Sequence, residues 1–177
     1  MMNPIVKKNG TTYGIMLGVF SILLTTVIYV VDLELFTSMW VGITSIIISL
    51  AIGIVLLSKT KKDMNGIITF KEAFTTYFLA AVIGTALSIL FTMLLFNVVD
   101  TEAKTTLNDI SARYTLEVME KWGAPAEAID ETRAALKGTD NYSPLSLLKG
   151  MAISLVLSAI LALILALIFK SKPAYKE

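Results

Sequence analysis

Residues 73–99 read AFTTYFLAAVIGTALSILFTMLLFNVV, twenty-seven positions without one charged side chain. A helix rises 1.5 Å per residue, so this stretch crosses the ~30 Å hydrocarbon layer of a bilayer with length to spare for tilt. Three more stretches of the same kind lie around it: Thr11–Val31, Trp40–Leu57 and Leu145–Phe169, the last with Lys149 only at its entrance. The chain has 177 residues, 55% of them hydrophobic, and a mean hydropathy of +0.74. A soluble core of that size has no room for four such stretches, so their apolar surface must face lipid. Met151–Phe169 alone holds twelve Leu, Ile, Val and Phe residues. At ~0.3–0.6 kcal/mol each, these favour insertion by roughly 5 kcal/mol.

The expected fold is therefore all-α: an integral membrane four-helix bundle, one membrane domain over residues 1–177. Its spans fall at about 11–31, 40–57, 73–99 and 145–169. An amphipathic helical hairpin at about 101–141 lies between the third and fourth spans, on the extracytoplasmic side. The side follows from the basic residues. Lys7 and Lys8 precede the first span; Lys59, Lys61, Lys62 and Lys71 lie between the second and third; Lys170, Lys172 and Lys176 follow the fourth. The first connection carries Asp32 and Glu34 and no basic residue. Short loops rich in Lys and Arg stay inside, which places both termini in the cytoplasm. The long third connection has six basic and nine acidic residues. Long loops translocate with little regard to charge.

Composition narrows the chemistry. The chain has no cysteine and no histidine, which removes disulfides, thiolate metal sites, thiol nucleophiles and imidazole acid–base catalysis. No carboxylate pair and no ionisable group of a proton relay lies inside a span, and no Gly-rich phosphate loop occurs. The expectation is a protein that is not an enzyme, with no cofactor, no metal and no nucleic-acid partner. The first span is read as an uncleaved anchor, because about twenty apolar residues are too many for a signal-peptide core.

Small residues recur at every fourth position in each span. They include Gly14 and Gly18 (preceded by Gly10), Ser45, Ser49 and Gly53, Ala80, Gly84 and Ser88, and Ser154, Ser158 and Ala162. That spacing keeps them on one stripe, where backbones approach closely, within one bundle or between two copies. In the third connection Leu107, Ile110, Tyr114, Val118 and Trp122 share one helical face. That face covers the mouth of the bundle, the membrane surface, or a partner: another membrane or envelope protein, or a second copy. Asp109–Arg113 and Glu117–Lys121 are acid-before-base pairs at i,i+4. Gly123 ends the first helix, Pro125 opens a second, Gly138 ends that one, and Ser143-Pro144 starts the final span. Lys59, Lys61, Lys62 and Lys71 are candidates for contact with lipid headgroups.

Three features resemble a known family. Gly66-Ile67-Ile68-Thr69-Phe70-Lys71-Glu72-Ala73-Phe74 opens the third span, Val98-Val99-Asp100 closes it, and an external helical pair breaks at a glycine. In these the chain resembles the small four-span proteins of Bacteroidetes-type bacteria grouped as domain of unknown function 4199. The resemblance implies an inner-membrane location and brings no catalytic or ligand residues with it. Two functions stand: a non-enzymatic scaffold or accessory subunit acting through helix packing and the external hairpin, or a small oligomeric transport or permeation protein.

Overall fold

The computed structural model describes residues 2–171, all helix and connection; Lys172 and Lys176 lie outside the described residues. There are six helices among these residues: α1 (Pro4–Val31), α2 (Met39–Asp63), α3 (Phe70–Leu94), α4 (Thr101–Lys121), α5 (Ala126–Leu136) and α6 (Pro144–Phe169). A 3₁₀ turn, Leu33–Thr37, links α1 to α2, and a π-helical turn, Leu95–Val99, prolongs α3. Helices α1, α2, α3 (with its extension) and α6 are long and apolar enough to cross a membrane.

Each helix begins where local chemistry satisfies its free N–H groups. The Asn3 carboxamide accepts from Ile5 N at 2.9 Å and Pro4 occupies the first turn of α1. Thr69 and Glu72 form a reciprocal capping box at the head of α3. Asp100 caps α4 by accepting from Ala103 N at 2.8 Å. Ser143 caps α6, with Pro144 in the first turn as expected. α1 starts seven residues before Thr11 and α2 runs six past Leu57, so Lys7, Lys8, Lys59, Lys61 and Lys62 are helical. Charge is excluded from hydrocarbon, not from a helix that emerges from it.

α3 is the centre of the bundle, flanked most extensively by α1 and then by α6. α1 and α3 run parallel, Gly10 beside Thr76 and Leu79, Gly14 beside Ala80 and Ile83, Gly18 beside Leu87. From the other side Gly84 faces Leu17 and the backbone of Gly14 and Gly18. α2 is held more loosely. Its grip is Gly53, pressed under the Tyr77 ring, and Leu56, Leu57 and Thr60, all fully buried.

Two apolar clusters close the ends. One gathers Leu57, Ile68, Ala73, Tyr77, Ala162, Leu165 and Ala166, the other Leu95, Phe96, Ala103 and Leu107. Outside them the protein is inverted relative to a soluble one. In the most apolar window of each of the four long helices only 17% of residues are buried, and Leu23, Ile46, Leu90 and Ile168 are among the large side chains left exposed. A belt of that extent is incompatible with water, and the protein is a multi-pass membrane protein.

Two helices, α4 and α5, lie between the third and fourth spans, with a break at Gly123 (φ +74°) and an end at Gly138 (φ +79°). Their ion pairs differ from the expected ones. Arg113 turns away from Asp109 and pairs with Glu34 of the first connection, and more distantly with Glu117 at 3.9 Å. Arg113 thus combines a cross-element partner with a distant same-helix one, Glu117, in place of Asp109.

Candidate functional site

Two places gather polar chemistry. The first is the end of the bundle beneath α4. The π turn carries one residue more than an α turn and brings Phe96 inward, where it is fully buried. Tyr29, Phe36 and Tyr142 meet its ring edge-on at centroid distances of 6.2, 5.9 and 5.5 Å. Around this plug runs a hydrogen-bonded collar. The Tyr29 hydroxyl donates to Asp100 Oδ2 at 2.7 Å. Asn97 Nδ2 donates to the Tyr142 carbonyl at 2.9 Å, and Lys104 Nζ reaches Asp140 Oδ2 at 2.9 Å and Asn97 Oδ1 at 3.3 Å. Asn108 Nδ2 donates to Asp140 Oδ1 at 3.2 Å, and Asn108 Oδ1 accepts from Asn141 N.

These contacts set the charges. The Ala103 N–H, then the Tyr29 hydroxyl, hold the Asp100 carboxyl below the ordinary value. Burial pushes Asp140 upward, but Lys104, Asn108 and the Tyr142 N–H outweigh it and leave its carboxyl low. Burial raises the Tyr142 phenol. The collar is a structural clamp. Its Lys104–Asp140 pair also lines a crevice of about 620 Å3 between α4 and α5.

The second place is a groove of about 310 Å3 within the spans. Four helices line it with hydroxyls: Ser21 of α1, Ser49 of α2, Tyr77, Thr85 and Ser88 of α3, Ser154 and Ser158 of α6. No charged side chain lines it.

The predicted residues divide between several tasks. Gly14, Gly18, Ala80 and Gly84 form the α1–α3 seam, Gly53 seats Tyr77, and Ala162 is buried at the closed end of α6. Ser49, Ser88, Ser154 and Ser158 line the groove instead of a helix seam. Ser45 borders a separate crevice between α1 and α2 and returns its hydroxyl to Val41 O at 2.7 Å. On α4, Leu107 and Ile110 are buried over the Phe96 end, Val118 is half-buried, and Tyr114 and Trp122 are exposed.

The lysines share one end of the molecule. Lys61 Nζ donates to the last carbonyl of α6, Phe169 O, at 3.1 Å, and Lys59 lies 3.3 Å from Asp63; Lys62 and Lys71 are exposed. Beside them, buried Asn9 donates to Thr60 Oγ1 and Asp63 Oδ2 at 3.2 and 2.9 Å, joining α1 to α2. Ser171 pairs with Ile68 backbone to backbone at 2.9 Å, and its hydroxyl accepts from Ile68 N. Sequence reasoning missed Asn9, Phe96 and Ser171. Asn9 next to a glycine stripe was the one available signal, a polar residue in the register of a packed face.

The family described as Protein of unknown function (DUF4199) matches residues 12–171, from α1 to the Ser171–Ile68 closure. This chain belongs to that family. Membership in DUF4199 thus covers both the bundle and the hairpin, so α4 and α5 fall within the family's extent. No curated protein and no solved structure matches the chain.

Proposed function

We propose that this chain is a bacterial inner-membrane protein, both termini cytoplasmic, that works without catalysis as a scaffold or accessory subunit through an external hairpin. The orientation rests on charge. Lys7, Lys8, Lys59, Lys61, Lys62, Lys71 and Lys170 all lie at the end opposite α4 and α5, as cytoplasmic basic residues do. At that end Lys59, Lys62 and Lys71 meet anionic headgroups, at ~1 kcal/mol per charge.

One observation carries the subunit role: the hairpin is fixed at one side and unburied at the other. α4 is clamped through Leu107, Ile110 and the Asp140 collar, whereas α5 buries no residue and Trp122 at the turn is 87% exposed. A rigid arm ending in an uncovered indole is the geometry of an anchor residue awaiting a protein surface, either an envelope protein or a second copy.

The test replaces Trp122 and Tyr114 by serine, since both are exposed and their loss leaves the clamp alone. After crosslinking in native membranes, wild type should retain a discrete partner that the double variant loses at least tenfold at equal membrane level. Retention of the same partner by the variant would sink the reading. The groove favours a second reading, a small oligomeric transport protein. Saturable movement of a defined solute into liposomes holding pure protein would establish it.

A further inference from the structure

Hydroxyls in membrane helices ordinarily satisfy themselves by bonding to the carbonyl four residues back. Thr26, Ser45, Thr76 and Thr92 of this bundle do so, at 2.7–2.9 Å. The groove hydroxyls behave differently. Among the described residues, Ser21, Ser49, Thr85, Ser88, Ser154 and Ser158 have no protein partner, and their oxygens open onto the groove. Tyr77 lines the same space: the residue is only 9% exposed, and its phenol oxygen is not sealed in the core without a partner.

The six Ser and Thr residues lie near the midpoints of their helices, at the depth of lipid tails, and Tyr77 lies nearer the start of α3. An apolar cluster lies toward each end of the bundle, and Tyr77 belongs both to one of them and to the groove lining. The open side is lateral, where Ser154 is exposed and α2 meets α6 only near one end. A ligand therefore arrives from the bilayer. It must be uncharged, since an ion at this depth is costly and no charged residue stands ready to receive it. Hydroxyls both donate and accept, so the matching head offers carbonyl oxygens and a hydroxyl of its own. The volume lies at the lower end of small-molecule sites, enough for such a head with its chains left in lipid.

We infer that this groove is a binding site for an uncharged lipid bearing ester carbonyls and a free hydroxyl, of the diacylglycerol class. The site stands independently of any partner at the hairpin.

The experiment uses the full chain in nanodiscs doped with a diacylglycerol carrying a diazirine beside its glycerol end, compared with a phosphatidylglycerol of the same chains. Adducts are mapped residue by residue. The diacylglycerol should label the Thr85–Ile89 and Ser154–Ser158 segments at least tenfold more than the phosphatidylglycerol does. It should also favour these segments over the lipid-facing Leu163, Ile164 and Leu167. Ser154→Ala with Ser158→Ala should cut that labelling at least fivefold, and Ser45→Ala should not. Equal labelling by both probes, an even spread along α6, or the same response in the double variant and in Ser45→Ala overturns the assignment. If the double variant fails to fold, the wild-type comparison decides alone.

Discussion

At the scale of single residues, glycines separate close packing from mere composition. A Cβ placed on Gly14 would stand 2.8 Å from Ile83 Cβ and 3.0 Å from Ala80 O, and one on Gly84 2.9 Å from Leu17 Cβ. Gly14→Ala is therefore expected to cost about 1–3 kcal/mol through overpacking. Gly150→Ala meets open space and should be neutral or stabilise by up to ~1 kcal/mol. Unfolding in detergent mixtures by the two variants and wild type measures the contrast, and equal shifts would refute the seam. Two carboxylates supply a pH dependence. Asp100 and Asp140 are both held below their ordinary value of 3.8. Their contribution is fully present above pH ~4 and is lost as pH falls through the lower folded values. Amides of α4 should keep their exchange protection from pH 7 to 5 and lose it below about 4. Asp100→Asn with Asp140→Asn should flatten that response. Spacing revealed the small residues, but it could not distinguish a seam from a groove, because that depends on which helix stands opposite. Nor could it pair Lys104 with Asp140, thirty-six positions apart.

At the scale of elements, hydrophobic runs located the spans, while helix ends ran further than the runs. α1 and α2 keep their hydrogen bonding past the membrane boundary, and hydropathy is blind to that. The hairpin was legible from Gly123, Pro125 and Gly138, whose backbone demands are local. The π turn left no trace in the sequence, since Leu95–Val99 is apolar however it winds. The halves of the hairpin contribute unequally. Leu107 and Ile110 are 1% and 6% exposed, and α5 buries nothing. Leu107→Asn should thus destabilise the bundle by several kcal/mol, through lost apolar burial plus an unsatisfied amide. Exchanging residues 124–138 for a Gly-Ser linker should shift the melting temperature only slightly. A thermal scan in which the linker variant melts as early as Leu107→Asn would show that α5 supports the fold.

At the scale of the whole molecule, the basic end and the hairpin end form the two poles of the protein. Alkaline phosphatase fused near Asp140 should be active in the periplasm, and the same fusion after Lys62 silent. The reverse pattern would turn the molecule over and move the Trp122 arm into the cytoplasm. The gathering of Lys7, Lys8, Lys59, Lys61, Lys62 and Lys71 at one pole was legible from their positions beside the spans. The sequence did not carry the arrangement of helices around α3, which is decided by the close fit of Gly84 to Leu17 and Gly53 to Tyr77.

The parallel seam between α1 and α3 has a consequence for biogenesis. The two helices that fit each other best are separated by the loosely gripped α2, so the ribosome must deliver a full return crossing before either finds its mate. Until Gly84 has left the exit tunnel, the Gly10–Gly14–Gly18 face of α1 waits uncovered in the insertion machinery, dependent on lipid or a chaperone to shield it.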